Sequence, residues 1–276
     1  MSDTSDASAG TTTEEPHFFV ERDGHVLTVT LNRPAAKNAF SPSMLVGVAD
    51  AWKLLDTDDE LRVGILTGAG GDFCSGMDLK ALAAGFSDEE MARMADDPDL
   101  HWKALLRHFR PSKPLIAAIE GYCVAGGTEI LQATEIRVAG ESAQLGIAEV
   151  QRGLFPLGGS TVRLQRQIGF TMAADLLLTG RLISAQEAKD IGLIGHVVPD
   201  GQALAKAREI AERIAANGPL AVRAVLRSMR ETAGMTEADG LARELEIGSP
   251  IIFETNDAKE GPRAFKEKRQ PNFTGT

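Results

Sequence analysis

Gly121-Tyr-Cys-Val-Ala-Gly-Gly-Thr-Glu129-Ile-Leu-Gln132 joins an apolar run to a segment of helical character. The run before it, Lys113-Pro-Leu-Ile-Ala-Ala-Ile119, reads as a buried strand. Thr128 to Ala133 reads as the start of a helix. Glycines at such a junction let the backbone approach a ligand closely. The first N–H groups of a helix lack intrahelical partners and carry partial positive charge. Together they suit an oxygen that becomes negative during a reaction. Glu129 falls in the first helical turn, where a carboxylate can carry a proton or hold a water.

Outward from this junction the chain reads as α/β first and helical later. Phe18 to Glu21 and His25 to Leu31 form a strand pair around Asp23-Gly24. Pro42 opens a helix that places Met44, Val48, Trp52 and Leu55 on one face. Arg62 to Thr67 is a short buried strand, so a helix lies between strand runs, as in a crossover unit. Gly68-Ala-Gly-Gly-Asp-Phe-Cys-Ser-Gly-Met77-Asp-Leu-Lys80 is a second glycine-rich strand-to-helix junction. Asp88 to Asp99 is acidic and reads as a lid or surface excursion, and Leu100 to Phe109 as a helix. Glu135 to Ala139 is a strand, and Ser142 to Gly159 is a glycine-rich segment that carries Glu149. Helices follow at 160–164, 172–178, 185–191, 203–215 and 220–232. Ser184 with Glu187 has the spacing of a capping box, and Gly192 is a helix stop. No repeat recurs at a fixed period.

Composition narrows the function. An apolar content of 43% with 25% charged residues fits a globular chain of 276 residues. A net charge of −10 argues against broad nucleic-acid binding but leaves room for an anionic small ligand. No apolar run reaches the roughly 18 residues of a membrane span. Residues 1–15 are rich in Ser, Thr, Asp and Glu and read as a disordered tail, not a signal peptide. Cys74 and Cys123 form neither a disulfide framework nor a metal cluster, and a cytoplasmic protein is expected.

The chemistry concentrates at the two glycine junctions, near Met77 and Gly126. Backbone N–H groups from both, aimed at one point, would make an oxyanion hole. Glu129 and Glu149 lie too far apart for one helix face and could meet only through the fold. Such a pair could hold one water and pass one proton. Glu135 and Glu141 read as surface or strand-edge carboxylates. Gly68-Ala-Gly-Gly-Asp-Phe73 lacks the third glycine of a dinucleotide fingerprint, and neither a phosphate loop nor a G-x-S-x-G elbow occurs. His101 and His108 could share a helix face, and packing or exposure explains them better than metal binding. Both cysteines read as small buried thiols.

The chain resembles the crotonase superfamily, the enoyl-CoA hydratase/isomerase proteins, from about Phe18 to Phe273. Phe73-Cys-Ser-Gly-Met77-Asp-Leu-Lys80 is similar to the first family signature, Gly121 to Glu129 to the second, and Ala143-Gln-Leu-Gly-Ile-Ala-Glu149 to the third. Ser184-Ala-Gln-Glu-Ala-Lys-Asp-Ile-Gly-Leu193 and the ending Glu260-Gly-Pro-Arg-Ala-Phe-Lys-Glu-Lys-Arg269 also match. The resemblance implies a spiral of ββα turns over 16–200 and a helical trimerisation region over 201–276. It implies a trimer or dimer of trimers and an acyl-CoA substrate, with no cofactor beyond that coenzyme A and no metal. The amides of Met77 and Gly126 would hold the thioester oxygen. Glu129 would deprotonate water and Glu149 would protonate C2, giving a 3-hydroxyacyl-CoA from a 2-enoyl-CoA.

By the same resemblance Ala36, Lys37, Ser75, Asp78 and Leu79 would contact coenzyme A, with Phe265 and Lys268 reaching it from a neighbouring subunit. Trp102, Val124 and Phe155 would line the acyl pocket. Two alternatives stay open: an isomerase or other acyl-CoA enolate enzyme, and a non-catalytic acyl-CoA-binding subunit. The chain departs from the family pattern at Leu157 and Ser160, which replace glycines, at Ala148, which replaces a proline, and at Ala35, which replaces a basic residue.

Overall fold

The computed structural model describes residues 15–276, so the expected tail, apart from Glu15, lies outside the described residues. The strands are β1 (Phe18–Asp23), β2 (Val26–Leu31), β3 (Val63–Gly68), β4 (Leu115–Ile119), β5 (Tyr122–Val124), β6 (Ile136–Gly140), β7 (Gln144–Gly146), β8 (Ile183–Ser184) and β9 (His196–Val198). Six of them form a sheet in the order β1-β2-β3-β4-β6-β9, antiparallel at β1/β2 and parallel thereafter. A smaller sheet has the order β5-β7-β8.

The two sheets are wound by one repeating path. The chain leaves β3 for the Cys74 bridge, leaves β4 for β5, and leaves β6 for β7. Cys74 pairs with Cys123, and Cys123 with Leu145, so three successive turns stack in parallel. Each turn then enters a short helical piece: Leu79–Ala84, Gly126–Leu131 and the 3-10 segment Glu149–Arg152. This is the expected ββα spiral. Its turns differ in length, which is why no fixed period shows in the sequence. Stacking is tightest at Gly127, where a Cβ would stand 2.4 Å from the Cys74 carbonyl oxygen.

The inner strands β2, β3, β4 and β6 of the large sheet are buried on both faces, as their apolar sequences require, while the edge strand β1 is exposed. Leu66, Leu115, Ala117 and Ile119 face the main core with Trp52, Phe40 and Phe73. Val63, Ile65, Ile116, Ala118 and Val138 face the other way, onto the helix Ala203–Ala215. That helix presents Ala203, Ala207, Ala211 and Ala215 at a spacing of one turn, a flat seam that lets it lie close to the strands. The helices Pro219–Glu231, Glu237–Glu254 and Asn256–Glu267 follow. The C-terminal segment returns to the core, where Arg62 donates to the carbonyls of Ala215 and Phe273, each at 2.8 Å.

Three local readings change. The acidic 88–99 excursion contains a helix, Asp88–Asp96, closed by a reciprocal Ser87/Glu90 capping box. The helix expected over 100–109 stops at Ala104, and the chain turns through Leu106 at φ +54°, so His101 and His108 share no helix face. Ser184 accepts the Glu187 N–H at 3.1 Å, but the Glu187 carboxylate is held by Arg181 at 2.7 Å and does not close the box.

Candidate active site

Met77 pairs with Phe40 in an isolated parallel bridge. Phe40 donates to the Gly76 carbonyl at 2.8 Å and accepts from the Asp78 N–H at 3.0 Å. In that pattern the N–H of Met77 points away from Phe40. Gly126 lies close by: a Cβ on Gly76 would stand 3.1 Å from the Gly126 nitrogen, and a Cβ on Gly126 would stand 3.7 Å from the Met77 nitrogen. Among the described residues neither amide has a protein acceptor. Ala125, just before Gly126, has φ +51°, a conformation L residues rarely take. The Ala125 N–H donates to Gly146 and the Val124 N–H to Cys74, each at 2.9 Å, which locks the turn. Backbone strain of this kind concentrates at functional sites.

Glu129 is the buried carboxylate in the first turn of Gly126–Leu131. One oxygen accepts the Ser160 N–H at 3.3 Å. Gly158 crosses so near that a Cβ there would stand 2.6 Å from Glu129 Oε2. Burial pushes the Glu129 carboxyl above the usual range, while the N–H groups of Gly158 and Ser160 and the charge of Arg163 act against it. Glu149 opens the 3-10 segment after β7, and its Oε2 is buried with no protein partner. Its carboxyl is pushed up to about 7, first by burial, against its own backbone N–H, and further by the charge of Glu129. The two acids therefore share a site but not an environment.

The chain from residue 21 to 276 matches the family model described as enoyl-CoA hydratase/isomerase. The chain belongs to this family. It is 57% identical to enoyl-CoA hydratase EchA19 of Mycobacterium tuberculosis over 94% of this chain and 96% of that one. It is 35% identical to the 2,3-dehydroadipyl-CoA hydratase of Escherichia coli, with 94% and 98% covered. Among solved structures, enoyl-CoA hydratase EchA1 of Mycobacterium marinum superposes with a TM-score of 0.86 at 45% identity, covering 95% of this chain and all (100%) of that one.

Of the coenzyme A contacts that the enoyl-CoA hydratase/isomerase family implies, three are laced together. Ser75 donates from its N–H to the Lys37 carbonyl at 3.0 Å and from its hydroxyl to the Ala36 carbonyl at 3.1 Å. Lys37 reaches Asp72 at 3.1 Å and lies over the Tyr122 ring at 3.9 Å. Asp78 caps the helix that follows by accepting the N–H groups of Lys80 and Ala81, and pairs with Arg33 at 2.8 Å; Leu79 is exposed. Phe265 and Lys268 are exposed at the far end of Asn256–Glu267 and make no hydrogen bond to these residues. On the expected acyl side, Val124 is half-buried in β5 and Phe155 is exposed. Trp102 is half-buried, with the rings of His101 and His108 at 4.6 and 6.0 Å.

Several residues at this site carried no signal in the sequence. Gly158, Arg163 and Gln132 touch the Glu129 environment only through the fold; Gln132 donates to the Ser160 hydroxyl at 2.9 Å. Ser160, which stood out as a departure, is Glu129's backbone partner. Glu135 binds Arg110, Arg230 and the Leu115 N–H and is structural. Cys74 is buried and pushed up to about 12 by that burial, an inert thiol.

Proposed function

We propose that this chain is an enoyl-CoA hydratase that adds water across the C2–C3 double bond of a 2-enoyl-CoA thioester. The observation that carries the reading is the unequal pair of carboxylates beside two unpaired loop amides. Glu149 has a buried oxygen with no partner and a carboxyl raised to about 7, fit to hold a proton. Glu129 is also raised by burial, but it accepts a backbone N–H that draws it back toward its ionised form.

In this reading the thioester oxygen accepts the N–H groups of Met77 and Gly126. The oxygen of a water held by Glu129 bonds to C3, and Glu129 takes its proton. The π electrons move toward the thioester, and the charge is met by the two amides. Glu149 then gives its proton to C2. Water is consumed whole, and proton exchange between the acids and solvent restores the starting state. The Ala36, Lys37 and Ser75 cluster would bind coenzyme A, with Trp102, Val124 and Phe155 against the acyl chain. The reading needs no cofactor beyond the substrate's own coenzyme A. It includes a homotrimer or dimer of trimers in the cytoplasm, in which Phe265 and Lys268 serve a neighbour's site. Among the described residues no helix is long and apolar enough to cross a membrane.

The test is a panel of 2-enoyl-CoA thioesters, following loss of the conjugated absorbance and identifying products. Glu129→Gln and Glu149→Gln should each lower hydration by about 100-fold or more while acyl-CoA binding persists. Double-bond migration in place of a 3-hydroxyacyl product, or unchanged rates in both variants, would rule the reading out.

A further inference from the structure

Arg163 lies one turn into the helix Ser160–Gln167, behind Glu129. Its guanidinium donates to the Gly158 carbonyl at 3.2 Å and to the Leu106 carbonyl at 2.6 Å. Arg107, beside Leu106, donates to the Leu157 carbonyl. Two arginines thus clasp the 157–159 turn to the wall that carries Trp102. The clasped turn is the one whose Gly158 crosses Glu129 and whose Ser160 N–H bonds it. Among the described residues Arg163 forms no ion pair at bonding distance, although the charges of Arg163 and Glu129 act on each other.

We propose that Arg163 is a positioning residue of this site: its guanidinium, bound to the Gly158 and Leu106 carbonyls, fixes the Gly158–Ser160 turn against Glu129 and so holds that carboxylate where it receives the proton of water. The role given to Glu129 rests on the hydratase reading; the coupling of the two side chains does not. Arg163 acts on Glu129 from the helix Ser160–Gln167, and Glu149 adjoins Glu129 from the 3-10 segment. Arg107 and Arg110 stand behind Arg163, and Arg152 near Glu149. Of these, Arg163 acts on Glu129 against the effect of its burial, and Glu129 in turn raises Glu149. Burial draws Arg163 down to about 10, with Arg110 acting in the same direction, so it is still a cation at neutral pH.

The experiment compares wild type, Arg163→Gln and Arg163→Lys by two readouts. The first is the titration of the Glu129 carboxyl by carbon NMR without substrate, assigned with Glu129→Gln. The second is kcat and KM for hydration against pH. Arg163→Gln should move the Glu129 titration to higher pH. It should shift the acid limb of kcat the same way and lower kcat about tenfold or more, with KM little changed. Arg163→Lys keeps the charge but not the two-carbonyl grip. It should hold the limb near its wild-type place while kcat stays reduced.

A shifted titration in a chain that hydrates nothing would sink the hydratase reading and leave the coupling intact. An unshifted titration and unchanged kcat in Arg163→Gln, with wild type active, would overturn the proposal. Wild type itself supplies a check if the variants fail to fold, since a Glu129 found protonated at neutral pH also overturns it.

Discussion

Glu129 and Glu149 are chemically the same side chain, and their partners make them different. Glu129 accepts the Ser160 N–H and faces Arg163, whereas Glu149 buries an oxygen with no partner and faces Glu129. If Glu149 must hold a proton to protonate C2, hydration should fall as pH rises through about 7, the value to which its carboxyl is raised. A pH–rate profile of kcat/KM checks this, and a flat profile across that region would count against Glu149 as the acid. The same shift has a consequence for stability. An acid raised on folding binds more protons in the folded than in the unfolded state between the two values. Wild type should therefore lose stability relative to Glu149→Gln as pH climbs from 4.5 to about 7. Melting curves of the two proteins at matched pH values give the sign. The two glutamates were legible in the sequence because each sits in a short signature. Arg163 and Gly158 were not, because what makes them matter is a contact with Glu129, about 30 residues away along the chain.

Elements follow from patterns more readily than sites do. The Lys113–Ile119 run is buried on both faces because its strand meets the main core on one side and the helix Ala203–Ala215 on the other, and such strands read as unbroken apolar runs. The 100–109 segment misled because its composition is helical while Arg107 and Leu106 are drawn to the 157–163 region by tertiary bonds. Periodicity does not report such bonds. Element packing also separates stability from chemistry. Ala207 is fully buried where the helix Ala203–Ala215 meets the sheet, on the face away from the main core. Ala207→Leu should overpack that seam and lower stability by about 1–3 kcal/mol, with the rate of the folded fraction unchanged. Gly158→Ala should do the reverse. Its added carbon would stand 2.6 Å from Glu129 Oε2 and 2.9 Å from Glu129 Cβ, so the carboxylate must move. A loss of about tenfold or more in kcat with a nearly unchanged melting temperature is expected. Denaturation and kinetics on the two variants together make the contrast, and a Gly158→Ala enzyme of wild-type rate would mean the Glu129 geometry is not critical.

At the scale of the whole molecule the last helices stand apart from the core in their surface. Val225, Met229, Leu241, Leu245, Ile252 and Phe253 are all exposed, and Phe253 is 76% exposed. These are the side chains that the proposed trimer would have to cover. The sequence pointed here only through family resemblance, since amphipathic periodicity says which face is apolar and not what covers it. Phe265 and Lys268, expected at a neighbour's coenzyme A, are exposed on the next helix and at its C-cap, and they bond to none of the other candidate contacts. If subunits complete each other's sites, association and coenzyme A affinity must be linked. A Leu245→Asp/Phe253→Asp double variant should then shift the particle toward the monomer by light scattering. Its KM for 2-enoyl-CoA should rise, while Glu129 and Glu149 keep their places. Lys268→Ala should raise KM without changing the mass, because it removes the contact and not the interface. A double variant that keeps both its mass and its KM would place the interface elsewhere. One that becomes monomeric with an unchanged KM would show that each chain binds coenzyme A alone.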